Sequence, residues 1–259
     1  MLSGSISNII NIIKTNVSKS SNSSYIIGIA GSSGVGKTSQ IANILSKEFN
    51  CEVIHQDDFF YENRIIQANM HKADDPKSFD FTKLENIVET LKNDTKAPKI
   101  TIIEGVYAFY GKLDKLIDCK IYAQAPFYSR LLKRYIRNVY ERKLVSSDVV
   151  FENVLLKQSS HLKYVIKQKK QADFVLQTDF SLDYIIKKLE LKPSLVLPKY
   201  EIIRDFQVDQ DYKIKIFKDS LSKNYYFALV NETSSLAFDL ILLDQDLAKF
   251  FLNVDFMEV

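Results

Sequence analysis

One short segment constrains this chain more than any other. Residues 31–38 read GSSGVGKT and fit the pattern G-x-x-x-x-G-K-[ST]. The apolar run Tyr25–Ala30 comes before the segment, and apolar residues at helical spacing follow it up to Phe49. A strand, a glycine-rich loop and a helix in this order let backbone N–H groups surround a phosphate at the helix N-terminus. The segment therefore predicts a nucleotide-phosphate site, and the alternative is a glycine-rich turn without a ligand.

Within this site the residue types indicate separate roles. We expect Lys37 to reach the β- and γ-phosphates of the nucleotide and the Thr38 hydroxyl to ligate Mg²⁺. The predicted nucleotide-binding residues of the segment are Gly31, Ser32, Ser33, Gly34, Val35, Gly36, Lys37, Thr38 and Ser39.

Alternating strand and helix patterns define the fold class. Further apolar runs lie at 53–54, 100–103, 121–123 and 174–176, and helical patterns over 81–91, 126–142 and 149–164 separate most of them. Strands that alternate with helices form a parallel sheet covered on both faces. We therefore predict an α/β domain with a parallel, doubly wound sheet over residues 24–192.

Both ends of the chain differ in pattern from this central part. Residues 2–17 have the spacing of an amphipathic helix, which we expect to pack on its own domain rather than on a partner or a membrane. The Ser-rich stretch 16–24 predicts a linker, so residues 1–23 form an N-terminal segment. Strand patterns at 212–217, 225–230 and 237–243 predict a small β-rich C-terminal domain over 193–259. We expect that domain to serve packing or homo-oligomer formation.

Composition limits which binding partners and which cellular compartment we expect. Lys and Arg number 35 against 32 Asp and Glu, so the net charge is +3, which argues against a dedicated nucleic-acid binder. No run of about 18 apolar residues exists, so we expect no membrane span. Two cysteines far apart in sequence indicate a reducing, cytoplasmic location.

Carboxylates follow two of the predicted strands. Asp57 and Asp58 come just after Val53–His55, and Glu104 follows Ile100–Ile103. The carboxyl ends of parallel strands form the ligand crevice of such a sheet, so these acids should face the same crevice as the phosphate segment. Phosphoryl transfer to a hydroxyl needs a metal ion and a carboxylate near the attacking oxygen. The alternative is that these acids cap the helices or turns that follow.

A basic stripe lies on the predicted helix 126–142. Its members at helical spacing are Arg130, Lys133, Arg134 and Arg137, with Arg142 and Lys143 after them. Three interpretations stay open: a solvated helix face, a lid whose arginines neutralise a transferring phosphoryl group, and a nucleic-acid patch.

Four further motifs, in order, complete a resemblance. They are HQDDFFY at 55–61, ADDPKSFDF at 73–81, IIEGVYAF at 102–109 and KRYIRNVYER at 133–142. Together with the phosphate segment they resemble the uridine kinase branch of the P-loop kinases over residues 24–190. That branch also includes phosphoribulokinase, pantothenate kinase and nicotinamide riboside kinase.

The resemblance implies a P-loop kinase fold and an ATP-dependent kinase that phosphorylates a hydroxyl of a small metabolite, in first place a nucleoside. It implies Asp57 as the base, Asp74 and Tyr61 as acceptor-binding residues, and Arg134 on the nucleotide. The implied catalytic residues are Asp57, Lys37, Arg137 and Arg142, and the implied Mg²⁺ ligands are Thr38, Asp57 and Glu104.

Departures from the family pattern lie on the acceptor side, and two of them bear on the acceptor most directly. Relatives hold the pyrimidine with a hairpin before the Glu-Gly strand, and here only Asn93–Lys99 joins the helix to that strand. The family's E-R-G-R signature is replaced by Glu141-Arg-Lys-Leu144. The alternatives are therefore a kinase of nicotinamide riboside, pantothenate or a sugar-like acceptor, and a nucleotide-binding regulatory module.

Overall fold

The computed structural model describes most of the first 178 residues and the strands that follow them. The described residues are 2–3, 5–20, 23–61, 75–125, 130, 133–134, 137, 161–178, 194–195, 200–207, 212–219, 225–231 and 236–243. Contacts divide the chain into two units. The first comprises Met1–Ala125 and Leu155–Thr178, and the second comprises Pro126–Val154 and Asp179–Val259. The predicted domain boundaries at 23/24 and 192/193 stay predictions.

A six-stranded parallel sheet forms the centre of the first unit. Its strands are β1 (Leu2–Ser3), β2 (Tyr25–Gly31), β3 (Val53–His55), β4 (Ile100–Gly105), β5 (Cys119–Gln124) and β6 (Phe174–Gln177). They lie in the order β1-β6-β5-β2-β4-β3, and all pairs are parallel. The fully buried β2 lies between β4 and β5, where the strand order reverses. The crevice of such a sheet opens at the carboxyl ends of these strands.

Helices cover both faces of this sheet. A π-helix, Lys37–Ala42, continues into α2 (Asn43–Phe49), and α1 is Ile6–Lys19. The other helices are α3 (Phe81–Asn93), α4 (Leu113–Leu116) and α5 (Ile166–Gln168), the last between a π-helix at His161–Val165 and a 3₁₀ turn at Lys169–Gln171.

Two separate hydrophobic clusters follow from the alternation of side chains along β2. Ile27 and Ile29 pack with residues of α1 and α2, such as Ile13 and Leu45. Ile26 and Ala30 point the other way and pack with residues of α3 and the loop after β4. This arrangement confirms the predicted doubly wound α/β fold.

The N-terminus corrects one prediction. The helix predicted over 2–17 begins only at Ile6, because the Ser5 side chain accepts a hydrogen bond from the backbone N–H of Asn8 and caps the helix. Leu2–Ser3 instead pairs with β6. At the other end α1 extends to Lys19, so it covers the first part of the predicted linker 16–24. Ser24 is buried and its hydroxyl lies 3.2 Å from that of Thr101.

The second unit contains a five-stranded sheet. Its strands are β7 (Ser194–Leu195), β8 (Tyr200–Gln207), β9 (Tyr212–Asp219), β10 (Tyr225–Asn231) and β11 (Leu236–Leu243), in the order β7-β11-β10-β9-β8. Every pair is antiparallel. Three of these strands were predicted, and β7 and β8 were not. Among the described residues no helix is long and apolar enough to cross a membrane.

Candidate active site

The phosphate loop depends on backbone conformations that favour glycine. Gly31, Gly34 and Gly36 have φ values of 146°, 83° and 87°. A Cβ atom on Gly31 would lie 2.4 Å from the carbonyl oxygen of Ala123 on β5. Side chains at these positions are therefore excluded by strain, by contact, or by both. The loop leads from β2 directly into the π-helix that begins at Lys37.

Lys37 lies against the loop that precedes it. Its Nζ donates hydrogen bonds to the carbonyl oxygens of Gly31, at 2.9 Å, and Ser32, at 3.1 Å. These two contacts keep the ammonium group on the loop side of the helix rather than in solvent. The role of Lys37 toward the β- and γ-phosphates stays a prediction.

Thr38 and Glu104 are the first predicted pair that the structure brings together. The Thr38 hydroxyl donates a hydrogen bond of 2.9 Å to Glu104 Oε1. Glu104 lies near the end of β4, opposite Ile29 of the neighbouring β2, so the sheet itself places its carboxylate beside the start of the helix. Glu104 is buried, and its Oε2 has no hydrogen-bond partner among the described residues.

His55 makes the second contact with this carboxylate. Its Nδ1 lies 2.9 Å from Glu104 Oε1, and the two residues are register partners on β3 and β4. His55 was not predicted in this role. The only signal in the sequence is that His55 directly precedes the Gln-Asp pair of the HQDDFFY motif.

The chemistry of Thr38 and Glu104 fits a magnesium ion. Hydroxyl and carboxylate oxygens are ligands that Mg²⁺ accepts, and a buried carboxylate oxygen without a donor suits a cation. Within the described ranges, no group of three His, Cys, Asp or Glu side chains is arranged to hold a metal ion. The residues therefore fit an ion that takes further ligands from a nucleotide and water. Asp57 as a third ligand stays a prediction.

Asp57 and Asp58 lie on one 3₁₀ turn, Gln56–Phe59, directly after β3. Both side chains are exposed, and the turn lies at the carboxyl edge of the sheet. The backbone carbonyl of Asp57 accepts a hydrogen bond from the N–H of Phe60. The turn thus presents two neighbouring carboxylates at the edge where Glu104 also lies, as the strand pattern predicted.

Two buried glutamines hold the loop after β4. Gln56 Oε1 accepts a hydrogen bond from the Tyr107 backbone N–H at 2.9 Å. Gln168 Oε1 accepts one from the Phe109 N–H at 3.0 Å, and its Nε2 donates to the Val106 carbonyl at 2.7 Å. Both glutamines were missed as functional positions, because their partners are more than 50 residues away in sequence.

Backbone pairing joins the segment of the HQDDFFY motif to that of the ADDPKSFDF motif. Phe60 and Phe79 form an antiparallel bridge, and the Tyr61 N–H donates to the Ser78 carbonyl. The Tyr61 side chain is 41% exposed. Asp75 caps the next turn by accepting a hydrogen bond from the Lys77 N–H at 2.8 Å. Asp74, the predicted hydroxyl-binding residue, lies outside the described residues.

Aromatic rings connect these segments to the loop after β4. The Phe60 and Phe79 rings lie 4.1 Å apart, and Phe79 makes an edge contact with Tyr107 at 5.8 Å. Tyr110 lies 6.2 Å from Tyr164 of the π-helix His161–Val165. We call these five rings the aromatic cluster. The exposed ammonium of Lys163 lies 5.0 Å from the Tyr164 ring centroid, and the neighbouring Tyr164 hydroxyl raises the Lys163 pKa, helped by the charge of Asp75.

The connection between α3 and β4 is a short turn. Residues 94–99 are all described and contain no strand. The turn is closed by hydrogen bonds from the Ala97 N–H to the Asp94 carbonyl and from the Lys96 N–H to the Asp94 side chain. The structure thus confirms that no hairpin is inserted at this point.

The basic stripe belongs to the second unit. Arg130, Lys133 and Arg134 have helical conformation, and Arg137 has π-helical conformation. Arg130 and Arg134 are buried, so these two side chains do not form a solvated face. Arg142 and Lys143 lie outside the described residues. A lid role for Arg134, Arg137 and Arg142 stays a prediction.

Comparison with known proteins gives the same family as the motifs. The family model described as "Phosphoribulokinase / Uridine kinase family" matches residues 92–181. A uridine kinase of Macrococcus caseolyticus is 28% identical over 179 residues, which cover 58% of this chain and 86% of that protein. A uridine kinase of Bacillus pumilus is 25% identical over 196 residues, which cover 64% of this chain and 93% of that protein.

A solved structure supports the fold. It is a kinase from Silicibacter sp. TM1040, proposed to belong to a fructose transport system, and it has a TM-score of 0.51 and 17% identity. The match covers 66% of this chain and 98% of that one. Fold, motifs and relatives therefore agree that this chain resembles the uridine kinase-like branch of the P-loop kinases, and they indicate a phosphotransferase that acts on a hydroxyl group.

Proposed function

We propose that this chain is an ATP- and Mg²⁺-dependent kinase that phosphorylates a sugar hydroxyl of a nucleoside. The observation that carries the proposal is the hydrogen bond between Thr38 and Glu104. It joins the hydroxyl of the phosphate loop to a carboxylate from a separate strand, and a site that only bound a phosphate would not need this carboxylate. The uridine kinases among the relatives support the nucleoside as the acceptor.

The proposed roles are those that the family resemblance implies for these residues. Asp57 accepts the proton of the acceptor hydroxyl. As it does so, the hydroxyl oxygen bonds to the γ-phosphorus, and the bond between the γ-phosphorus and the bridging oxygen of the β-phosphate breaks. Lys37 and the arginines at 134, 137 and 142 offset the charge of the transferring group. Magnesium, when bound with ATP, would be held by Thr38, Glu104 and Asp57 and would neutralise charge on the β- and γ-phosphates.

The acceptor pocket should recognise the sugar of the nucleoside more strongly than its base. Asp74 and Tyr61 are proposed to bind acceptor hydroxyls. Discrimination between bases needs hydrogen-bonding groups that a wrong base leaves unpaired, and the turn at 94–99 supplies no hairpin for that purpose. We therefore expect weak preference, or none, for uridine over cytidine and purine nucleosides.

A turnover screen tests this function. The chain is incubated with ATP and Mg²⁺ and, separately, with uridine, cytidine, adenosine, nicotinamide riboside and pantothenate, and kcat/KM is measured for each. We expect turnover of the nucleosides with kcat/KM values within about a hundredfold of one another. The reason is that the turn at 94–99 supplies no hairpin whose hydrogen-bonding groups would distinguish one base from another. Lys37→Ala serves as the control that the activity belongs to this site.

Three outcomes would contradict the proposal. Turnover of pantothenate alone would exclude the nucleoside. A preference for uridine or cytidine of about a thousandfold or more would show that another segment forms a base pocket. Binding of ATP without turnover of any acceptor would favour a nucleotide-binding regulatory module.

The antiparallel sheet of the second unit is proposed to serve assembly rather than chemistry. Its edge strand β8 has eight residues and, among the described strands, pairs with β9 alone, so we propose that its other side pairs with another copy. We also propose a cytoplasmic location, which the two free cysteines support. The molar mass of the full chain, measured by light scattering across a range of concentrations, tests the assembly; a monomer throughout would contradict it.

A further inference from the structure

The two oxygens of the Glu104 carboxylate have different surroundings. Oε1 accepts hydrogen bonds from the Thr38 hydroxyl and from His55 Nδ1, each at 2.9 Å. Oε2 is buried and has no hydrogen-bond partner among the described residues. A buried polar atom without a partner is uncommon in proteins and calls for an explanation. The two donors on Oε1 leave Oε2 as the oxygen that can accept from, or ligate, a bound group.

The contact also shows which ring nitrogen of His55 carries a hydrogen. A carboxylate oxygen only accepts hydrogen bonds, so Nδ1 must carry the hydrogen that is donated to Glu104. His55 and Glu104 are opposite residues of neighbouring strands, so the backbone pairing of β3 and β4 sets the distance between them. Groups held on paired strands are positioned more firmly than groups on loops.

We propose that His55 is a positioning residue that orients Glu104 so that Oε2 faces the magnesium ion of bound ATP or one of its waters. The inference rests on the proposed function, because it requires that Mg²⁺·ATP binds here. With His55 in place, rotation of the carboxylate would break two hydrogen bonds on Oε1. Without His55, the Thr38 hydroxyl alone holds Oε1, and the carboxylate can rotate Oε2 away.

The Thr38 hydroxyl is compatible with this arrangement. Its single hydrogen is donated to Glu104 Oε1, so its lone pairs remain for a cation. A residue that orients a metal ligand in this way typically changes metal affinity by about 10- to 100-fold when it is removed. The side chain of His55 is 43% exposed, so its replacement leaves no large cavity in the core.

The test compares three replacements of His55 in a binding assay without turnover. The probe is the β,γ-imido analogue of ATP, without any acceptor. Its dissociation constant is measured by calorimetry in EDTA and at graded Mg²⁺ concentrations. His55→Asn places an amide N–H near the position of Nδ1, His55→Gln places it near that of Nε2, and His55→Ala removes it. Glu104→Gln is the positive control for loss of the Mg²⁺ effect.

We expect His55→Ala and His55→Gln to need about tenfold more Mg²⁺ or higher for the same gain in analogue affinity. His55→Asn should stay within about threefold of the wild-type requirement, since it keeps the donor to Oε1. In EDTA all three variants should bind the analogue as the wild type does, and their thermal unfolding temperatures should agree.

The inference is overturned if His55→Ala shows the wild-type Mg²⁺ requirement, or if the Asn and Gln variants behave alike. It is also overturned if affinity falls equally in EDTA and in Mg²⁺, because that pattern would reflect general damage to the site. No acceptor enters the assay. A chain that follows the expected series yet phosphorylates no nucleoside would therefore refute the proposed function and leave the role of His55 intact.

Discussion

The side chain of Gln56 occupies the space in which a Cβ atom on Gly105 would lie. A Cβ built on Gly105 would be 2.1 Å from Gln56 Oε1 and 2.4 Å from Gln56 Cβ. Gln56 directly precedes Asp57, and Gly105 directly follows Glu104. The close packing of Gln56 on Gly105 therefore sets the spacing between the turn that carries the proposed base and the strand that carries the proposed metal-ligating carboxylate.

We expect Gly105→Ala to lower both stability and turnover. The added methyl group must displace the fully buried Gln56, and such overpacking costs about 1–3 kcal/mol in the free energy of unfolding. Urea unfolding and kcat measure the two effects. Gly111→Ala is the comparison, because a Cβ there meets Glu85 Oε1 alone among the described residues, at an ordinary contact distance of 3.6 Å, and the φ of 64° adds backbone strain. It should reduce stability by about 1–2 kcal/mol without loss of kcat. Equal kcat in wild type and Gly105→Ala would contradict the link between the packing of Gln56 on Gly105 and turnover.

Lys37→Ala should reduce phosphoryl transfer by about a thousandfold or more, because it removes a cation that stabilises charge on the transferring group. The fold should persist, since Lys37 Nζ donates to the loop carbonyls of Gly31 and Ser32, and the buried side chains that hold the π-helix and α2 in the core are other residues. Lys47→Ala, an exposed position on α2, is the matched control and should keep wild-type kcat. Near wild-type turnover of Lys37→Ala would refute the assignment of the loop.

Asp57→Asn should bind ATP almost normally but lose at least about a hundredfold in kcat, the lower end for a general base. Asp58→Asn is the natural control, because it lies on the same 3₁₀ turn with a similarly exposed side chain. Its effect should be much smaller. Nucleotide affinity and single-turnover rates separate binding from chemistry. If Asp58→Asn were the more damaging change, the alignment of the HQDDFFY motif with the family would be shifted by one residue.

Burial raises the pKa of the Cys119 thiol to about 12, and the charges of Asp173 and Asp118 add to this. In the unfolded chain the thiol loses its proton near pH 9, so between about pH 9 and 12 the folded state holds more protons. The stabilisation is complete below about pH 9 and is lost as the pH rises toward 12, by at most about 1.4 kcal/mol per pH unit.

Cys119→Ala should therefore lose less stability than the wild type between about pH 8 and about pH 10.5. The measurement is urea unfolding at both pH values with a reductant. Cys51→Ala is the control, because that half-buried thiol has a pKa raised by burial alone, and it should keep most of the wild-type pH dependence. Identical pH dependence in wild type and Cys119→Ala would contradict the role of the buried thiol.

The parts of the molecule that the sequence predicts are those fixed by local pattern. The phosphate loop and the strands around it follow from glycine placement and short apolar runs. Glu104 is separated in sequence from His55 by 49 residues and from Thr38 by 66 residues. Their contacts depend on how distant strands pair, and a local sequence pattern carries no information about that pairing.

Two misplaced elements have local explanations. Strand β8 was missed because adjacent isoleucines break the alternation of Tyr200–Gln207, and the structure has a register shift between Ile202 and Arg204 at this point. The start of α1 was misplaced because Leu2 fits both the helical spacing and a strand, and only the cap at Ser5 decides between them.

The aromatic cluster has a consequence for spectroscopy. The chain contains 14 tyrosines and no tryptophan. Tyr110 is half-buried and lies between Phe81, at 5.1 Å, and Tyr164. A Tyr110→Trp variant would carry the chain's single indole, so its emission would report the surroundings of the aromatic cluster without background from other indoles. Titration of that one emitter with each nucleoside would test, without a coupled enzyme assay, whether acceptor binding changes these surroundings.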